Sequence, residues 1–473
     1  MKKKKKILLL SDDIRLPSGV GTVSSELVKG TVDRYDWVQI AGAVHHPEMG
    51  KRIDFSEEIR KATNIPHAYC VLYPVTGYGD PNILRQVVAQ EKPDLIMHFT
   101  DPRFWGWLYD MENEIRQQIP LTFLTIWDDL PYPRWNENCY ESCDMLMTIN
   151  RQTYNIVKQV RQREPVKDWQ LQYVPHGINE KIYRPVNVLD KKYNDAWSSL
   201  FGEDNFKKVQ DGFLFFFNAR NIQRKRTSDI LAAFDALARK YEDAYFLLHC
   251  PKVDQAGTNL GALIEDLFPK EVQERIYFYE RHDLSQQQLN IMYNMADATV
   301  LLSSAEGYGL SCAESLMAGT PVVVNCTGGL QDQIGLKKPS GEYLTVDDYN
   351  NETPTYSYFP DTPHGEWAFV TWPQPGLQGS PSTYAIYDSR ASIPDMFRKM
   401  EEAYLDKENL PFRGYKGRQY LINDAGMNLQ GMLDSFVDAM EGCFENFTPR
   451  QKVGIYQPQP RKFYKHTGAM KIV

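Results

Sequence analysis

Glu306-Gly307-Tyr308-Gly309-Leu310-Ser311-Cys312-Ala313-Glu314 sets two carboxylates eight residues apart around a glycine-rich turn. Before it, Asp297-Ala298-Thr299-Val300-Leu301-Leu302-Ser303 is a short, β-branched apolar run suited to a buried parallel strand. After it, the periodicity predicts a helix over Leu310 to Ala318 that stops at Gly319. The turn therefore sits at the carboxyl end of a strand, where open α/β sheets bind ligands. Gly307 and Gly309 would let the backbone approach a ligand while the first helical amides point at anionic charge. A carboxylate accepts hydrogen bonds from hydroxyls, so Glu306 on the loop and Glu314 about one turn into the helix could hold two sets of hydroxyls on one ligand. The spacing alone equally fits an acidic loop followed by a glutamate that complements the helix dipole.

Outward from that turn, apolar runs at 213–217, 245–249, 276–278, 298–302 and 321–324 read as strands. The first of them leads into a helix with Ile230, Leu231, Phe234, Leu237, Ala238 and Tyr241 on one face. The N-terminal half repeats the pattern, with strands expected at 6–10, 38–44, 95–99, 121–126, 145–149 and 171–174 and helices at 20–31, 81–90, 104–117 and 154–161. Asp80-Pro81 supplies a cap and a proline at the first helical position. Strands alternating with helices imply mostly parallel sheets covered on both faces. The expected organisation is a Rossmann-like domain over residues 1–185 and a second over 186–420, joined through a polar linker at about 175–212. A stretch rich in Pro, Tyr, Ser, Thr and Gly at about 337–387 reads as an insertion, either a lid or an extended surface loop. An amphipathic helix within 421–450 is expected to cross back onto the first domain, and 451–473 is a tail.

At 473 residues the chain is long enough for two cores of roughly 200 residues each. A net charge of −8 and a pI near 5.7 argue against a general nucleic-acid-coating surface, leaving room for a local basic groove. Five lysines at 2–6 precede only four apolar residues, too few for a signal-peptide core, and no run approaches a membrane span. Seven cysteines with no Cys-x-x-Cys pair suggest ordinary thiols, Cys139 and Cys143 included, and a soluble protein in a reducing cytoplasm.

Arg220-Asn221-Ile222-Gln223-Arg224-Lys225-Arg226 gathers cations at the end of the strand at 213–217, either as a solvated basic loop or as donors to a phosphate. Leu16-Pro17-Ser18-Gly19-Val20-Gly21-Thr22 opens the first helix on a glycine turn, which is structural or meets a phosphate or hydroxyl with its amides.

Taken together and in order, these segments resemble retaining GT-B glycosyltransferases of family four, the group 1 type. The matching motifs are Gly19-Val20-Gly21, Arg220 with Lys225, Glu306 with Glu314, Gly319-Thr320-Pro321-Val322-Val323 and Thr327-Gly328-Gly329-Leu330. Val174-Pro175-His176-Gly177-Ile178 matches the start of the family's linker. The resemblance implies two Rossmann-like domains facing across a cleft, and transfer of a sugar from a nucleoside-diphosphate sugar, a UDP-sugar, to an acceptor hydroxyl with retention. It implies no cofactor and no metal, and the chain has no Asp-x-Asp of the kind that holds one in the other major glycosyltransferase class. By the same resemblance Arg220 and Lys225 bind the diphosphate, Glu306 the transferred sugar and Glu314 the ribose. Tyr308, Gly309 and Leu310 add backbone contacts, and Gly19 and Gly21 line the donor site.

One position departs from the family. Its first-domain histidine is replaced, in Thr125-Ile126-Trp127-Asp128-Asp129-Leu130, by Trp127. Either Asp128 takes the polar role or Trp127 shapes the sugar site, and His98 at the end of a strand is a second candidate. Residues 104–109 and 127–135 offer aromatic platforms for an acceptor. The first domain, with Ser11-Asp12-Asp13, residues 100–105 and Trp127 to Pro131, is also similar to glycosyltransferase-like proteins of tailed bacteriophages. That similarity raises a hydroxymethylated DNA base as acceptor beside a glycan, lipid or small molecule. A nucleotide-sugar epimerase and an inactive donor-binding protein are the other readings.

Overall fold

Two parallel sheets organise the chain, which is described here from a computed structural model over residues 3–161, 166–281, 284–349 and 362–450. The first sheet contains β1 (Lys5–Asp12), β2 (Tyr35–Gly42), β3 (Ile53–Asp54), β4 (Cys70–Pro74), β5 (Leu95–Phe99), β6 (Leu121–Thr125), β7 (Met145–Thr148) and β8 (Leu171–Tyr173). Their order is β3-β4-β2-β1-β5-β6-β7-β8, parallel except for the short edge strand β3. The second contains β9 (Phe213–Asn218), β10 (Ala244–His249), β11 (Ile276–Tyr279), β12 (Ala298–Leu301), β13 (Val322–Asn325) and β14 (Ala368–Thr371) in the order β11-β10-β9-β12-β13-β14. Strand order reverses between β1 and β5 in one sheet and between β9 and β12 in the other. The loops leaving those strands therefore splay apart and open a crevice at each sheet's carboxyl edge. This is the expected two-domain α/β architecture.

The sequence runs apolar through β9 because both faces are covered. Phe213, Phe215 and Phe217 pack with Phe234 and Phe246 on one side, while Leu214 and Phe216 join Tyr293 and Cys312 on the other. The latter cluster continues without a break to Trp37, Leu27 and Phe436 of the first half. The bridge between them is the Leu429–Asn446 helix, whose Phe436 stacks on Trp37 with ring centroids 6.1 Å apart and whose Glu441 accepts from the Tyr35 hydroxyl at 2.6 Å. The tail at 451–473 lies outside the described residues.

Several local expectations change. The single helix expected at 104–117 is broken into a Pro102–Phe104 turn and two short helices, Gly106–Asp110 and Glu112–Ile115. The linker at 175–212 contains the helices Lys191–Phe201 and Phe206–Asp211, whose Tyr193, Trp197 and Phe201 are buried, so its aromatic residues are packing and not punctuation. The insertion at 337–387 is not wholly an insertion, because β14 inside it pairs with β13 and completes the second sheet. Four residues are too short a run to stand out against the surrounding polar composition. Residues 350–361 of that stretch lie outside the described ones. After β14 comes an antiparallel hairpin, β15 (Gln374–Gln378) and β16 (Ile386–Arg390).

Candidate active site

A cleft of about 920 Å³ lies between the carboxyl edges of the two sheets. On the second-sheet side its floor is the turn after β12. Gly309 has φ +89°, and a Cβ there would stand 2.6 Å from Leu330, so the turn requires glycine. Gly309 also caps the Leu310–Ala318 helix without a side chain to occupy its first amides, and Gly309, Leu310 and Ser311 all border the cleft.

Glu306 is buried at the base of this turn, where it pairs with Lys225 Nζ and, at 3.3 Å, with Arg224 Nη1. Arg224 Nη1 also donates to the Ala305 carbonyl at 2.7 Å. Burial pushes the Glu306 carboxyl up, but Lys225 and Arg224 outweigh it and hold the group below its ordinary value. Burial pulls Lys225 down, partly offset by Glu306. Two cations thus face one carboxylate at the floor, with Asp128 across the cleft also acting on both.

Arg220 does not join this cluster. It stands two-thirds exposed at the rim, held by Asp254 at 2.6 and 3.1 Å, and Arg224 occupies the inner position instead. The resemblance pairs Arg220 with Lys225; in the structure the 3₁₀ turn Gln223–Lys225 brings Arg224, and not Arg220, inward beside Lys225.

Glu314 faces the cleft from the helix and accepts from the Tyr293 hydroxyl at 2.7 Å and the Tyr183 hydroxyl at 3.0 Å. Burial pushes its carboxyl up to about 7, opposed by the two phenols. Tyr308 is buried, donates its hydroxyl to the His176 carbonyl at 2.6 Å and borders the cleft.

On the first-sheet side, Gly19 lines the cleft, and a Cβ there would come within 3.3 Å of Leu310 across it. Gly21 does not line it. A Cβ at Gly21 would meet the Leu16 carbonyl at 2.6 Å, and its amide is taken by the capping Ser18 Oγ at 3.0 Å, so it serves the helix start and not the ligand side. Trp127 lines the cleft with its indole Nε1 donated to the Asp129 carbonyl at 2.8 Å and its ring edge-on to Trp135 at 5.6 Å. Asp128 and Asp129 follow, half-buried, and neither makes an ion pair among the described residues. Burial pushes Asp128 up to about 6, with Arg224 opposing and Glu306 adding. Burial and then the Asp128 charge push Asp129 well above the ordinary range.

His98 is not at the site. It is fully buried among aromatics, hydrogen-bonded through Nδ1 to the Tyr109 hydroxyl at 2.7 Å and stacked on Phe123 at 4.7 Å. Burial pulls it down to about 3, so it stays neutral. The two-residue period of β5 turns His98 to the helix-covered face and sends Phe99 to the cleft. The histidine that does border the cleft is His176, against Tyr308 at 4.9 Å and Phe99 at 5.7 Å, also pulled down to about 3 by burial. Its only sequence signal is the run Val174 to Ile178.

A buried polar seam beneath the Glu306 turn also escapes sequence reading. Asn150 Nδ2 donates to the Gly307 carbonyl at 2.6 Å, and Gln331 Nε2 to Gln152 Oε1 at 2.5 Å. Asp332 accepts from the Arg151 amide at 3.0 Å and the Tyr173 hydroxyl at 2.9 Å. Gln152 and Thr153 in turn hold the carbonyls of Asp128 and Trp127. Residues of both sheets thus fix the two loops that face each other. Among the described residues no group of three or more His, Cys, Asp or Glu is arranged to hold a metal, and no helix is long and apolar enough to cross a membrane.

Residues 203–352 match the family of glycosyl transferases group 1. That match covers β9 to β13 of the second sheet, including Arg224, Lys225, Glu306 and Glu314, and ends before β14. The chain is 25% identical over 153 residues to the O-antigen chain mannosyltransferase RfbU of Salmonella typhimurium, covering 32% of this chain and 40% of that one. It is 24% identical over 202 residues to the N-acetyl-alpha-D-glucosaminyl L-malate synthase of Bacillus anthracis, covering 41% of this chain and 44% of that one. The chain therefore spans less than half the length of these two relatives. In fold it is similar to HepE of Anabaena, crystallised with UDP and glucose, with a TM-score of 0.59 at 11% identity over 92% of this chain and 99% of that one.

Proposed function

We propose that this protein is a glycosyltransferase that moves a sugar from a nucleoside-diphosphate sugar, a UDP-sugar, to an acceptor hydroxyl. The observation that carries the reading is the buried Glu306 with Lys225 and Arg224, set beside the uncapped start of the Leu310–Ala318 helix. Breaking the bond between the anomeric carbon and the β-phosphate oxygen puts growing negative charge on the phosphate. Fixed cations and helical amides in a partly dry cleft stabilise that charge more as it develops than before. Glu306, already held as a carboxylate, accepts from the transferred sugar's hydroxyls and faces the positive charge that builds at the anomeric carbon. The reading gives Glu314 the ribose, exchanging a phenol partner for a hydroxyl.

The reading includes retention, with the departing phosphate taking the acceptor proton on the face the acceptor attacks, and it needs no metal. We assign Asp128, which lines the cleft, the role of the polar group beside the reacting sugar in place of a histidine. The free thiols suit a reducing cytoplasm.

A panel of sugar nucleotides, each with and without glycan acceptors, tests this by following nucleoside-diphosphate release. Release should depend on the acceptor and fall at least about a hundredfold in Glu306→Ala, the loss expected for a transition-state contact. Epimerised donor without acceptor, or unchanged turnover in the variant, would sink the proposal.

A further inference from the structure

The β15–β16 hairpin belongs to the second half of the chain but closes on the first. The Tyr387 amide donates to the Leu130 carbonyl at 2.8 Å, and Tyr384 sets its ring edge-on to Trp135 at 4.8 Å. Its root is pinned to the second sheet by Asn325 Nδ2 to the Ser389 carbonyl at 2.7 Å. Trp135 thus lies between Trp127, which lines the cleft, and Tyr384, which is 64% exposed. An exposed ring held at both its strand root and its edge loses little freedom when a ligand lies on it.

Three carboxyl groups, Asp128, Asp129 and Asp388, stand beside this aromatic run, with Arg224 and Arg390 opposing them. Asp128 and Asp129 have no ion pair among the described residues, and Asp388 on β16 lies close enough to Asp129 to raise it further. Carboxyl groups exchange hydrogen bonds with sugar hydroxyls, indole and phenol rings match the apolar face of a sugar ring, and the cations here are already engaged, Arg224 by Glu306 and Arg390 by Asp388.

Resting on the glycosyltransferase reading above, we infer that Trp127, Trp135 and the hairpin's Tyr384 form an acceptor subsite for a neutral oligosaccharide. The subsite is built from both halves of the chain. The innermost ring would lie at Trp127 beside Asp128, and Tyr384 would be reached only by an acceptor of more than one sugar.

The test uses the full chain with neutral oligosaccharides, the same glycans carrying a phosphate ester, and hydroxymethylated duplex DNA. With donor bound, a neutral oligosaccharide should shield tryptophan fluorescence from acrylamide quenching. Tyr384→Ala should raise its KM about tenfold while Tyr384→Phe restores it. Donor affinity and acceptor-independent donor hydrolysis should stay unchanged in both variants. Stronger shielding or turnover with the phosphate esters or DNA overturns the inference, as does donor binding with no shielding by any neutral glycan, or an unmoved KM in Tyr384→Ala. Failure to bind any sugar nucleotide is a different result. It removes the glycosyltransferase reading and this inference with it.

Discussion

The two walls of the cleft differ in how their innermost carboxyl groups are held, although Asp101 and Arg103 on the first-sheet side also pair. On the second-sheet side every charge has a partner: Glu306 has Lys225 and Arg224, Glu314 has Tyr183 and Tyr293, and Arg220 has Asp254. On the first-sheet side Asp128 and Asp129 have no ion pair among the described residues and stand beside aromatic rings. A wall that must hold a highly charged diphosphate benefits from cations already fixed by buried counter-charges, since no reorganisation is then needed when phosphate charge grows. A wall that must accept hydroxyls needs open lone pairs and flat apolar surface instead.

The contrast is sharpest if broken at one residue of each kind. Arg224→Ala should lower kcat/KM roughly a hundredfold, because it removes a fixed inner donor, whereas Arg220→Ala at the exposed rim should cost less than about fivefold. Equal losses would erase the distinction between the inner and outer arginine, and steady-state kinetics at saturating acceptor reads it directly. On the other wall, Asp128→Asn should lower kcat/KM by about ten- to a hundredfold. Because burial holds Asp128 up at about 6, wild-type kcat/KM should fall as pH drops through that value and the carboxylate takes its proton. That acid limb should flatten in the variant; an unchanged limb would assign it elsewhere.

The smallest effect concerns stability. Burial raises Glu314 from its ordinary value to about 7, so the folded state holds its proton more tightly than the unfolded chain. Its contribution is therefore present at low pH and lost as pH rises from about 4.5 to about 7. Glu314→Gln should then leave urea stability near the wild-type value at pH 5 and raise it by about 1–2 kcal/mol at pH 8. A variant less stable at pH 8 would mean that Tyr183 and Tyr293 favour the charged form more than burial opposes it.

Much of the second-sheet wall was legible. The Glu306–Glu314 spacing, the β-branched strand before it and Gly319 after it are local features, and local features set a strand, a positive-φ turn and a helix within about fifteen residues. The cation loop was legible as a loop, but the motif pointed to Arg220 where the fold turns Arg224 toward Glu306. The first-sheet wall was harder. His98 and His176 cannot be ranked from sequence, because a one-residue step along β5 decides between core and cleft. Gly21 matched a motif and proved to be needed by a helix cap. The strand at 368–371 and the hairpin that follows were hidden in a composition that reads as loop.

The sequence by itself determined the alternation that makes two parallel sheets, the glycine turn that shapes the start of the Leu310–Ala318 helix, and the carboxylates and cations available to the site. These follow from periodicity and backbone sterics over short spans. Only the tertiary structure decided that Arg224 and not Arg220 meets Glu306, that Tyr183 and Tyr293 share Glu314, and that Tyr384 reaches Trp135. Each joins residues tens to hundreds of positions apart, and such contacts are set by how sheets and crossing helices pack and not by any residue's neighbours in the chain.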